Sequence, residues 1–246
     1  MRGNALLRVS DAGGALRIDD LRCAPSLAMR RAGDDVYLVG TAASPIGGDE
    51  VALSLELAPG ASLRVRSVAA AIARRGAGRR PARLTICARL GERAQLWWEP
   101  EPGVASAGST MVVRTEISLA AGARVWWREE VVLGRFGEPP GRWISALHAE
   151  RAGRPLLHHE VAVDAESGPA LAGPGHRAMG SVLAVGGVPE PAVAHAEDGV
   201  AVVLPLECDD AVLISASARD HPALRRLLDA VGGAAEAPGS APATGR

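Results

Sequence analysis

The side chains of this sequence best placed to do chemistry are carboxylates standing beside glycines and at the ends of apolar runs. Asp49 follows Pro45-Ile46-Gly47-Gly48, and Glu129 and Glu130 sit within an apolar run. Glu138 follows Gly137, and Glu160 follows His158-His159. Carboxylate oxygens and imidazole nitrogens in such settings can pass on a divalent cation without closing a tight site around it. The same carboxylates can instead cap turns or pair with arginine.

Other chemistries lose their residues one by one. The histidines show no His-Glu-x-x-His pattern and no i, i+4 pair. His158 and His159 are neighbours on an expected strand, so they face opposite ways and cannot share one ion. Cys23, Cys87 and Cys208 stand far apart without a Cys-x-x-Cys, which reads as three thiols in a reducing compartment rather than a zinc site or a disulfide framework. Every one of the 27 basic residues is arginine. A Walker A loop and a Schiff base both need a lysine, so both are excluded for this chain. A hydrolase built on Asp49, Glu129 and Glu138 would lack a nucleophile, since no nucleophile elbow or Ser/His/Asp order is present. The net charge of −1 offers no electrostatic footprint for nucleic acid. The basic loop Arg74 to Arg80 lacks interleaved aromatics and reads as a solvated turn.

These carboxylates must be held by strands. Val51 to Val65 and Val113 to Trp127 are two copies of one unit, with Leu57, Gly60, Ala61 and Leu63 matching Leu119, Gly122, Ala123 and Val125. A weaker copy, Leu90 to Trp98, lies between them. Each alternates apolar residues around a short break, the period-two pattern of a strand with one face buried. Recurrence at roughly 30-residue intervals predicts coils that stack and share a core. The expectation is an all-β protein, mainly β with about two short helices, in a β-helix-like or solenoid-like single domain over residues 1–233. Residues 1–10 read as an edge strand or a loose lead. Residues 176–185 read equally as helix or strand. A helix is predicted from Pro222 to Val231, capped by Asp220 or His221 and stopped by Gly232-Gly233. Residues 234–246, rich in Ala, Pro and Gly, read as a disordered tail. No stretch approaches a membrane span or a secretory leader, so a cytoplasmic protein is expected.

Five blocks in series carry a resemblance. They are Pro45-Ile46-Gly47-Gly48-Asp49 with Leu57-Ala58-Pro59-Gly60-Ala61; Trp98-Glu99-Pro100-Glu101-Pro102; Leu119-Ala120-Ala121-Gly122-Ala123-Arg124-Val125; Trp127 to Arg135 with Gly137-Glu138; and Gly153-Arg154-Pro155-Leu156-Leu157. In this order they resemble the urease accessory protein UreD (UreH) family. The resemblance implies a non-enzymatic chaperone role in urease maturation. It implies partners UreF, UreG through UreF, and apo-urease, with no nucleic acid and no membrane. Nickel would be in transit, possibly through an internal passage, and no cofactor would be tightly bound. Asp49, Glu129 and Glu138 fall on acidic positions of the family motifs. Glu160 stands beside His159, which takes another such position. These four are the expected nickel-path residues, with Gly47 and Gly48 holding the loop. Trp98, Glu101, Pro102 and Arg135 are the expected partner contacts. The alternative is a passive β scaffold that bridges UreF and urease without touching nickel.

Overall fold

The computed structural model describes residues 1–232; the tail expected over 234–246 lies outside the described residues. Its strands are β1 (Arg2–Asp11), β2 (Leu16–Arg22), β3 (Leu27–Ala32), β4 (Asp35–Gly40), β5 (Glu50–Leu57), β6 (Ser62–Ser67), β7 (Ala71–Ala73), β8 (Ala82–Leu90) and β9 (Gln95–Glu99). They continue as β10 (Gly103–Ala105), β11 (Thr110–Leu119), β12 (Arg124–Leu133), β13 (Arg142–Arg151), β14 (Arg154–Val163), β15 (Ala178–Val185), β16 (Val193–Ala196), β17 (Gly199–Pro205) and β18 (Ala211–Ala218). Helix α1 is Gly168–Ala172 and α2 is His221–Gly232. The fold is mainly β with two helices, in a stacked, β-solenoid-like arrangement.

The repeat read from the sequence is the repeat of the structure. The chain climbs through β5/β6, β8/β9 and β11/β12, adding one parallel strand to each of two facing sheets at every coil. Leu57, Leu90 and Leu119 lie in one cross-strand row, and Leu63, Leu96 and Val125 in another. Identical rungs put the same apolar side chain in the same place at each level, so the pattern and the register carry the same information. The tight turns also stack: Gly60 N–H donates to the Glu92 carbonyl at 2.8 Å, and Arg93 N–H to the Ala121 carbonyl at 3.0 Å. Gly60 and Gly122 take φ of 74° and 67°. The middle copy has Arg93 there, at φ 54°, which costs about 1–2 kcal/mol for a residue with a Cβ.

The first sheet has seven strands in the order β14-β13-β11-β8-β5-β1-β2. The second has eleven, running β16-β17-β18-β15-β12-β9-β6-β4-β3, with β7 and β10 attached beside β12. The leading strand is neither loose nor an edge. β1 pairs parallel with β5 and antiparallel with β2, and Leu7 and Val9 are fully buried. Of the segment read equally as helix or strand, residues 178–185 are strand.

The second sheet is covered on both faces where α2 lies over β15, β17 and β18, which explains the unbroken apolar runs of those strands. Its inner face packs on the first sheet. Its outer face receives α2 through Leu224, Leu227, Leu228 and Val231. The Asp220 carboxylate accepts the Ala223 N–H at 2.9 Å and caps the helix. Trp97 pairs with Trp126 and Trp98 with Trp127 in register. The inner pair stacks with ring centroids 4.5 Å apart and planes within 3°.

Candidate functional site

At one end of the molecule small and polar residues such as Ser145, Gly180 and Ser181 stand among the leucines, valines and methionines that face one another between the sheets. The result is a slot of about 470 Å³ between the sheets. Trp143 of β13 closes over part of it and lies against Gly103 of β10, where a Cβ would come within 2.1 Å of the indole.

Glu129 enters this slot because it shares strand parity with Trp127, which is fully buried. Its carboxylate is held from three sides. Trp127 Nε1–H donates to Oε1 at 2.9 Å, and Thr115 Oγ of β11 donates to Oε1 at 3.0 Å. Ser145 Oγ of β13 donates to Oε2. His159 of β14 lines the same slot, half-buried. Burial pushes its imidazole below the ordinary histidine range, and the Glu129 charge pulls the other way. A carboxylate and an imidazole whose neutral, metal-binding form is favoured by burial thus line one slot.

Glu130 faces the other way, under α2, and its side chain is 1% exposed. His221 Nε2 lies 2.8 Å from Oε2, Arg225 Nε donates to the same oxygen at 3.2 Å, and an Arg128 nitrogen lies 3.8 Å from Oε1. Burial pushes this carboxyl up, but the His221 hydrogen bond and the Arg225 and Arg128 charges outweigh it, leaving it below the ordinary range. Arg225 also reaches Glu101 at 3.3 Å.

Beside Glu129 and Glu130 the second sheet has a gap. β9 pairs with β12 as far as Trp98 and Trp127, and β10 resumes the pairing at Gly103 and Val131. Between them Pro100 to Pro102 leave the ladder, while Glu99 still pairs with Arg66 of β6. Pro100 and Pro102 have no N–H to donate to it. Pro100, Glu101 and Gly103 line the slot beside this break, and Glu101 pairs with Arg225 there.

The remaining expected residues are spread through the fold. Asp49 reaches the slot wall, but its carboxylate is bound by the Met1 amine, by Ser44 Oγ at 2.8 Å and by Ile46 N–H at 3.0 Å. Burial raises its pKa and these donors lower it further, for a net depression. Glu138 lies away from the slot, clamping its own loop through the Arg135 side chain and N–H and the Ala107 N–H. That clamp lowers its carboxyl to about 2. Glu160 is exposed on the outer face of the first sheet, with its neighbour His159 inside. Trp98 is 4% exposed, in the core rather than at the surface, because its stack on Trp127 uses its inner face and a covered sheet leaves no outer one. Pro102 is buried, Glu101 is half-buried against Arg225, and Arg135 is exposed.

Thr115, Ser145 and His159 escape a reading that looks for carboxylates and motifs. Their signal is parity: His159 alternates with Val161 and Val163, and Ser145 with Trp143 and Leu147, on inward-facing positions. Phe136, the chain's only phenylalanine, is fully exposed beside Arg135. Among the described residues no three His, Cys, Asp or Glu side chains converge as a metal cage, and no helix is long and apolar enough to cross a membrane.

Comparison with known proteins places this geometry. A family model described as UreD urease accessory protein matches residues 1–244. The chain is 40% identical over 265 residues to the urease accessory protein UreD of Parafrankia sp. (strain EAN1pec), covering 95% of this chain and 88% of that protein. It is 38% identical over 234 residues to the protein of that name from Streptomyces coelicolor, covering 93% and 89%. With that of Frankia alni the identity is 39% over 221 residues, covering 80% and 72%.

Proposed function

Since the chain belongs to the UreD urease accessory protein family, we propose that it matures urease without catalysing a reaction of its own, by carrying nickel through the inter-sheet slot. The relatives are named as accessory proteins rather than as ureases. In this reading UreF docks on the chain, UreG joins through UreF, and the assembly seats on apo-urease in the cytoplasm. Nickel is the cargo, and no cofactor is resident.

The observation that carries the nickel role is Glu129. A carboxylate held by three hydrogen-bond donors inside a slot, near a neutral imidazole, gives a cation a preformed oxygen ligand and one nitrogen ligand. It lacks the third and fourth ligands that would trap the ion. A transfer route needs such incomplete coordination, because an ion that is fully caged does not leave. In this reading an ion enters where the ladder breaks, at Pro100 to Pro102.

The scaffold reading has its own support. The carboxylates of Asp49 and Glu138 are taken up by structural hydrogen bonds, so two of the expected nickel ligands act as fasteners. The two readings separate in co-expression with urease and its accessory proteins, with nickel measured on purified urease. Transfer through the slot predicts that Glu129→Gln lowers nickel loading while pull-down of UreF and apo-urease is unchanged. Full loading by a Glu129→Gln, His159→Leu double variant leaves only the scaffold.

A further inference from the structure

On the opposite face of the first sheet, away from the slot, His148 of β13 and His158 of β14 stand directly across from one another in the antiparallel ladder. Both are exposed. Their rings touch edge to face, with centroids 4.0 Å apart and planes at 66°. The cross-strand row continues to Glu116 of β11, in register with His148, and then to Cys87 of β8. Glu160 follows two residues after His158 on the same face. The Glu116 carboxylate meets the Cys87 thiol at 3.8 Å, and burial and Glu116 itself push that thiol up.

From this row we infer a second, external cation site, in which His148 and His158 chelate a divalent first-row transition metal through one nitrogen each. Metal–nitrogen bonds of about 2.0–2.1 Å require donor nitrogens roughly 3 Å apart. Two rings on facing strands at this separation reach that spacing by rotating about their terminal side-chain torsions, with no backbone movement. Imidazole selects Ni²⁺, Cu²⁺ and Zn²⁺ over Mg²⁺ and Ca²⁺, so the site belongs to the borderline metals. Glu116 and Glu160 place negative charge on either side of the pair, and water completes the coordination. β14 is the sheet's edge strand, so ions reach the pair directly from solvent. The slot reading concerns the inner face and does not bear on this site.

The test titrates the full-length chain separately with NiCl₂, ZnCl₂ and CuCl₂ by calorimetry, and records Cu²⁺ paramagnetic resonance for nitrogen hyperfine structure. Wild type should bind one equivalent with two nitrogen ligands that Mg²⁺ does not displace. His148→Asn and His158→Asn should each weaken that equivalent at least about tenfold, the scale on which loss of outer-shell partners alone acts. Both residues are exposed, so the far-ultraviolet dichroism of these variants should match wild type. His159→Leu, on the inner face, should leave this equivalent in place. The site is overturned if wild type binds none of the three ions there, if either outer-face variant binds them unchanged, or if His159→Leu abolishes the same equivalent.

Discussion

Trp127 and Glu129 are joined side chain to side chain, the indole N–H donating to the carboxylate at 2.9 Å along the same face of β12. The carboxylate that faces the slot is therefore anchored to the most deeply stacked tryptophan of the core. Removing it disturbs two things at once, and the choice of substitution separates them. Glu129→Ala leaves the Trp127 N–H and the Thr115 hydroxyl without a partner and should cost about 1–3 kcal/mol in denaturant unfolding. Glu129→Gln keeps an acceptor oxygen for the indole and should cost less, while removing the charge a cation would meet. Equal destabilisation by the two would mean that the hydrogen bonds do not set the position of this side chain.

The acid sensitivity of the fold should divide between the slot and the outer face of the second sheet under α2. Below about pH 4.3 an unfolded chain protonates Glu130's carboxyl while the folded chain still resists, so stability falls as pH drops through that range. Below about pH 6.5 the unfolded chain protonates His159 while the folded, buried ring stays neutral, so stability also falls as pH drops from there. Urea midpoints measured from pH 3 to 8 should lose part of the upper limb in His159→Leu and part of the lower limb in Glu130→Gln. Glu130→Ala, which leaves Arg128 and Arg225 without their shared partner, should cost about 3–5 kcal/mol at neutral pH.

Trp98 should matter to partners only through the fold. Trp98→Ala removes one member of a buried stack and should cost about 3–5 kcal/mol. Trp98→Phe should keep most of the stability and all of the UreF capture in a pull-down. Loss of capture by a well-folded Trp98→Phe would restore a direct contact role.

Phe136 should behave in the opposite way. Phe136→Ser changes an exposed side chain and should shift stability by no more than about 0.5 kcal/mol. A partner that seats on the Arg135–Phe136 tip should bind it several-fold more weakly, read by titrating immobilised UreF or apo-urease. Glu138→Ala, which releases the same loop, should speed amide hydrogen exchange at Arg135 and Ala107.

The coils were legible because repetition writes register directly into sequence: Leu57, Leu90 and Leu119 could take no other alignment and still bury one face. The direction of individual acids was not legible in the same way. Glu129 and Glu130 are adjacent, and which of them enters the slot depends on α2 covering the far face, a contact about 100 residues away in the chain. Glu160 drew notice as a carboxylate, although the buried valines at alternate positions after it put His159, not Glu160, inside. Asp49 and Glu138 were expected on the nickel path, but the donors that already hold each one come from loops and from distant parts of the chain that spacing does not reveal. Trp98 was expected as a partner contact, and Pro100 and Pro102 follow it. Those prolines mark where the ladder is interrupted just beyond it.

The Trp98–Trp127 stack gives the protein an optical readout of its own interior. Two parallel indoles 4.5 Å apart couple their transitions and give a signed near-ultraviolet dichroism band. One of them is hydrogen-bonded to Glu129. An ion arriving at that carboxylate would polarise the indole N–H, and a paramagnetic ion would quench its emission. The proposed passage of nickel would then be testable in real time in the unlabelled wild-type chain, with Glu129→Gln as the silent control.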